Sequence, residues 1–375
     1  EVARLELELP GVRVAPVENL LGRVRSAMDG DSALLAVKTG KSASWLWAVD
    51  REGLTVHRLP ARCAIEALAK KVSEGVRRGS PDADADSAAL YRSLFGTLGE
   101  GIRRRTHWLI ALDSGLFETP LPALRDDGRF LVERHVIQTI SSASGWLESG
   151  QRRRPAPSSL FLGVGDAIYN TADARLDRNA APGPGALLLP RLVGSGQEVE
   201  ACARLWPGDH VLLEGAAASR ENLLKELARG PAVVHLATHV LESGGGNPQG
   251  LIALSLTPRR ESELLPPQEI AAWHTDAELI VLSGCHSVGA QALAGTGLLG
   301  LTRAWLAAGA RTVIASIWAT PDESGAIFHA LYRNLGEGGV TPSAALRAAQ
   351  LEMIHSSDWR ARPRYWAAYI AVGEQ

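Results

Sequence analysis

Leu279-Ile280-Val281-Leu282-Ser283-Gly284-Cys285-His286-Ser287 is the stretch on which the reading of this chain turns. Four consecutive large apolar residues without a helical period read as a strand buried on both faces, and the small polar residues after them as the turn that leaves it. Cys285 then stands at the tip of a central strand. In open α/β sheets the ligand crevice forms outside the strand ends, so a thiol there is placed for chemistry. Upstream, Val233-Val234-His235-Leu236-Ala237-Thr238-His239 repeats the buried pattern, ends on a histidine and runs into Gly244-Gly245-Gly246. Two such strands as parallel neighbours bring His239 and Cys285 to one edge, where imidazole can take the thiol proton and the thiolate can attack a carbonyl.

Positions 239 and 285 are 46 apart, close to the histidine-to-cysteine spacing of caspase-type enzymes, although the Gln-Ala-Cys signature of true caspases is absent. HLATHV (235–240), LSGCHS (282–287), GLTRAWLAAGARTVIASIW (300–318) and RPRYWAAYIAVGE (362–374) follow in order. Together they resemble the CHAT proteases, relatives of caspases and separases. SAALYRSLFGTL (87–98), LDSGLFETPLPAL (112–124) and LFLGVGDAIYN (160–170) resemble upstream parts of the same family, so the likeness runs from about Ser87 onward.

The resemblance implies a caspase-like α/β fold, a mostly parallel sheet flanked by helices, with residues 1–150 as an inactive caspase-like half carrying β-hairpins and 151–375 as the active half. It implies a cysteine endopeptidase that acts on a protein substrate through a Cys285/His239 dyad, as a regulated effector of a bacterial defence or signalling pathway. The tetrahedral oxyanion needs preorganised N–H donors, and the amides of Cys285 and Val240 are best placed. Val240 stands where the family usually has glycine, and His286 where it has an acid. Cys285-His286-Ser287 is similar to the metacaspase pattern, but Ser283 occupies the position of its specificity-setting Asp, so selection of basic residues is not inherited. Substrate pairing as an added strand along Ser316–Thr320 puts Trp318 near the pocket. Asp166 and Asp322 are candidates to line it, and a helix cap explains Asp322 equally well.

The chain has 375 residues, more than one ordinary core accommodates, and the linker between its halves reads as Gly150–Ser159. It does not begin with Met, and the family resemblance implies a helical TPR-type sensor segment upstream, or an activating protein, as a partner. A net charge of −2 with 46% hydrophobic and 21% charged residues fits a globular protein and argues against nucleic-acid binding. No apolar run reaches the length of a membrane span, so the expected location is the cytoplasm. Three cysteines fit a reducing compartment; Cys63 and Cys202 read as buried core residues, and His235 as a core histidine.

No cofactor or metal is expected. On a strand His235 and His239 stand about 13 Å apart, too far to share one ion. Hairpin strands occupy Leu34–Pro60, followed by a helix Arg62–Arg78, an exposed loop Pro81–Asp86, a helix Ala88–Arg104 and a strand Trp108–Leu112. Two other functions compete. Gly295-Thr296-Gly297-Leu298-Leu299-Gly300 formally matches a dinucleotide fingerprint, with Asp322 as the ribose-binding acid, yet that fingerprint should follow its strand directly. A catalytically inactive interaction module is the other, with Val240 as the mark of a decayed site.

Overall fold

The computed structural model describes residues 19–151, 158–176, 187, 189–242, 250–284, 295–318, 320 and 325–373. Two compact units divide the chain: one takes in Ala15–Arg153 and Val340–Gln375, the other Arg154–Gly339.

In the first unit the strands are β1 (Ser32–Lys38), β2 (Ser44–Val49), β3 (Leu54–Leu59), β4 (His107–Ala111), the short pair β5 (Arg125–Asp126) and β6 (Arg129–Phe130), and β7 (Val136–Ile140). β1, β2 and β3 form an antiparallel meander; β4 joins β1, and β7 joins β4, in parallel. The turn between β2 and β3 is an Asx turn, in which Asp50 Oδ1 accepts from the amides of Glu52 and Gly53 at 2.9 and 3.0 Å. The helix Arg62–Arg78 buries Ile65, Ala69, Val72 and Val76, a stripe at helical spacing, and stops at Gly79, whose φ of 69° suits glycine.

Two sequence expectations fail here. The loop foreseen at Pro81–Asp86 is largely helix, because Asp84 and Asp86 lie in the first turn of the helix Ala83–Phe95 and pair with Arg125 and Lys71. The single helix foreseen at Ala88–Arg104 breaks between Gly96 and Gly99 and resumes at Glu100–Arg104, since each glycine costs a helix interior about 1 kcal/mol. Helix Ala143–Gln151 and strand β7, neither foreseen, follow.

The second unit holds β8 (Phe161–Ala167), β9 (His210–Gly215), β10 (Val233–Leu236), β14 (Leu279–Leu282) and β15 (Thr312–Ser316) in a parallel sheet of order β15-β14-β10-β8-β9. Helices Val193–Leu205, Arg220–Leu227, Gly295–Ala308 and Ala326–Gly336 alternate with these strands, as parallel crossovers require. The central strands β10 and β14 are buried at every position. A side sheet of β11 (Val240–Glu242), β12 (Gly250–Leu254) and β13 (Glu263–Leu265) is antiparallel.

Val340–Gln375 belongs by packing to the first unit, whereas the sequence division ran the second half to the chain end. The helix Pro342–Ile354 starts on the Thr341 cap, Arg347 donates to the Val132 and Glu133 carbonyls at 2.7 Å each, and β16 (Tyr369–Gly373) pairs in parallel with β7. A contact of residues so far apart in sequence leaves no local signal.

His135 makes the first unit sensitive to acid. Its ring stacks on Trp108 with centroids 4.0 Å apart, and Nδ1 donates to the Arg105 carbonyl at 2.8 Å. Burial pushes it down from 6.5 to about 4, with Arg134 and Arg347 acting in the same direction against the Arg105 carbonyl and Asp126. The unfolded chain therefore binds a proton that the folded chain refuses between those two values. Stability is full above about 6.5 and is lost as pH falls toward 4, by up to roughly 3 kcal/mol. Urea unfolding at pH 7 and pH 4.5 should show this slope, and His135→Gln should flatten it.

Candidate functional site

The site is built where β10 and β14 end side by side. Val233 pairs with Leu279 and Leu236 with Leu282, a constant offset of 46 positions, and the Ser283 amide continues the ladder to the Leu236 carbonyl at 3.1 Å. Past the strands the chains approach more closely still. A Cβ on Gly284 would lie 1.7 Å from the Thr238 carbonyl oxygen, so only glycine fits the position before Cys285.

His239 is fully buried at the junction where the chain leaves β10 and enters β11. Its ring lies 4.6 Å from that of Tyr169, inclined at 60°. Nε2 is 2.8 Å from the Pro190 carbonyl oxygen, which can only accept. That contact puts the neutral ring's proton on Nε2 and leaves Nδ1 as the basic nitrogen. The backbone also sets an amide. Ala253 N–H donates to the His239 carbonyl at 2.8 Å, which makes His239 and Ala253 a hydrogen-bonded pair of the antiparallel ladder. The next pair, Val240 with Ile252, is then of the other kind, and the Val240 N–H points away from β12, off the edge of the side sheet. The side chain of Val240 is buried.

Behind the strand ends lies a polar network that sequence reasoning missed. Glu198, on the helix Val193–Leu205, accepts from His235 Nε2 at 2.9 Å and from the Ser283 hydroxyl through the same oxygen. The Tyr332 hydroxyl donates to His235 Nδ1 at 3.0 Å. His235 is thus a core histidine with both nitrogens engaged. Burial, then the neighbouring Cys202 and Glu198, pushes the Tyr332 phenol well above its ordinary value, so it remains a donor. A glutamate one helix away from a Ser in a strand end has no spacing signature that would reveal it.

The remaining sequence candidates fall in different places. Cys285, His286 and Asp322 lie outside the described residues. Asp166 is no open acid: its carboxylate receives Arg191 through two bonds of 2.7 and 2.6 Å and Arg175 at 2.8 Å. Trp318 is buried, as are Ser316 and Ile317, so these three residues do not present the exposed edge that substrate pairing along Ser316–Thr320 would need. Cys202 is buried and burial raises its thiol well above the ordinary value, but Cys63 is exposed, against expectation, because position 63 falls off the buried stripe of its helix. Gly295–Gly300 lie inside the helix Gly295–Ala308, not in a turn that cradles phosphate, which removes the geometry of a dinucleotide site. Among the described residues no cluster of His, Cys, Asp and Glu could hold a metal, and no helix is long and apolar enough to cross a membrane.

Comparison with known proteins matches the CHAT domain over residues 84–374. Human tetratricopeptide repeat protein 28 is 26% identical over 345 residues, covering 79% of this chain and 13% of its own length. The mouse protein of that name is 28% identical over 194 residues, 43% of this chain and 8% of its own. In the separase–securin complex of Saccharomyces cerevisiae, a chain of 12% identity superposes with a TM-score of 0.57 over 94% of this chain and 31% of that one. The chain therefore spans a small part of these relatives.

Gly284→Ala tests the close approach of the two strand ends. Backbone cannot yield as a side chain can, so the variant should lose about 3 kcal/mol or more in urea unfolding, whereas Gly230→Ala, with nothing within 4 Å of its Cβ, should lose only the smaller strain of its φ of 68°.

Proposed function

Because the chain belongs to the CHAT domain family, with a caspase-like α/β fold, we propose that it is a cysteine endopeptidase in which Cys285 is the nucleophile and His239 the base. The observation that carries this is the register. Paired residues of β10 and β14 differ by 46, and His239 and Cys285 differ by 46 as well, so a register continued past the strands would set them opposite each other. The glycine at 284 is what allows such an approach.

In this reading Nδ1 of His239 takes the thiol proton while Nε2 stays bound to the Pro190 carbonyl. The thiolate forms a bond to the scissile carbonyl carbon, and the oxyanion is held by the amides of Cys285 and Val240. Collapse breaks the C–N bond as the imidazolium returns its proton to the leaving amine, and water then hydrolyses the thioester through the same steps. Glycine is not required at 240, since the donor is a backbone N–H that the β11–β12 ladder directs outward. Loss of one such donor costs about 100-fold or more.

Asp166, bound by two arginines, is no longer a candidate to line the substrate pocket, and Trp318 and Asp322 are kept as candidate pocket residues. The tetratricopeptide repeat relatives support a protein partner that restrains or releases the enzyme, the protein substrate being the other. A cytoplasmic role in defence or signalling accords with this reading.

The test is thiol reactivity. Iodoacetamide at pH 7 should modify Cys285 faster than exposed Cys63, whose surface thiol serves as the reference, and should spare buried Cys202. His239→Ala should slow the Cys285 reaction at least about tenfold. Equal rates at Cys63 and Cys285, or no effect of His239→Ala, would replace the peptidase reading with that of an interaction module.

A further inference from the structure

We propose that Asp166 is a positioning residue for His239, acting through the segment Leu189–Leu192. This rests on the reading of His239 as the base. Asp166 is the extra residue of a bulge in β8: Gly165 pairs with Glu214 and Ala167 with Gly215, leaving Asp166 outside the ladder with a left-handed φ of 43°. Bulges re-aim side chains, and a non-glycine residue stays left-handed only where its surroundings hold it. What holds Asp166 is the segment that carries Pro190. Its carboxylate takes both Arg191 bonds, its N–H donates to the Ser195 hydroxyl at 2.8 Å, and that hydroxyl donates to the Leu192 carbonyl at 2.7 Å.

Every residue of the segment is gripped in turn. Asn170 Nδ2 donates to the Leu189 carbonyl at 2.6 Å, His239 to that of Pro190, Asp166 binds the Arg191 guanidinium, and Ser195 binds Leu192. Proline has no N–H of its own and a fixed φ, so its carbonyl direction is set by the residues on either side. Of these anchors, the bidentate pair of Asp166 with Arg191 is charge-assisted and adjacent to Pro190. Arg175 completes it, bonding the Asp166 carbonyl and carboxylate and pairing with Asp173 at 2.7 Å. Two carboxylates and two guanidiniums thus cancel beside the segment that carries Pro190. Glu214, also close by, has its carboxyl raised by burial and by the charges of Glu200 and Asp166.

The balanced charge excludes Asp166 as a subsite for a basic residue and gives it a different task. With the carbonyl of Pro190 fixed, the proton of neutral His239 is fixed on Nε2 and Nδ1 is held for the thiol. Without the clamp the carbonyl moves, and the ring is free to turn or to take the other tautomer.

The test measures iodoacetamide labelling of Cys285 against pH, by mass spectrometry of the whole chain, with Cys63 as the exposed reference. Asp166→Asn keeps a residue that tolerates left-handed backbone while removing the charge. Arg191→Met removes the partner and keeps the apolar stem. Labelling needs thiolate, so its rate falls as pH drops through the thiol pKa. In wild type this midpoint should lie below the ordinary value of about 8.5, and in His239→Ala it should rise. Asp166→Asn and Arg191→Met should each move it part of the way and slow labelling at pH 7 by about threefold to tenfold. Because both act through one carbonyl, the double variant should be no worse than either single one. A wild-type profile in Asp166→Asn, with His239→Ala still shifted, overturns the clamp and leaves the dyad standing. A lower melting temperature in Asp166→Asn with an unshifted profile makes Asp166 merely structural and also overturns it. If His239→Ala itself follows wild type, the dyad fails and the clamp with it.

Discussion

The contact between Gly284 and the Thr238 carbonyl is the constraint on which the site depends. Parallel strands normally stand about 4.8 Å apart, yet beyond the ends of β10 and β14 the chains come so close that a single Cβ cannot enter. A side chain at 284 would force this position away from Thr238. The rest of the second unit serves to hold this approach. Full burial of Val233–Leu236 and Leu279–Leu282 fixes the register, because slipping one strand by one residue would turn its side chains to the opposite faces.

Below the strand ends the register is also fixed by polar bonds. Glu198 ties Ser283 of one chain end to His235 of the other, and Tyr332 closes the network. With neutral His235 every donor in that set meets an acceptor, which is the condition for a buried network to rigidify its surroundings. In this arrangement the residues around the two strand ends serve as a frame for the positions that follow them.

Much of this was legible in the sequence. Runs such as Leu279–Leu282 and Val233–Leu236 announce strands buried on both faces, and Ile65, Ala69, Val72 and Val76 with Gly79 mark one helix from start to stop. What was not legible depends on contacts between distant residues. Strand β7 reads poorly because Gln138 sits in its middle, satisfied by His107 and the Gly373 carbonyl. The return of Val340–Gln375 to the first unit rests on Arg347 finding carbonyls more than 200 positions away. For the site, the placement of His239 just past the buried strand β10 could be read from the strand pattern. The occupation of Asp166 by Arg175 and Arg191 could not, since an acid after a strand looks the same in sequence whether it faces a substrate or a neighbour. Nor could the service of the Pro190 carbonyl to His239, which uses only the backbone of Pro190.

The central claim is that peptide bonds are cut at a site made by Cys285 and His239, and the most direct measurement compares the new protein N-termini that arise in a cell lysate. Wild type should generate a defined set of them that is absent with Cys285→Ala and with His239→Ala. Identical sets from all three proteins would contradict the account.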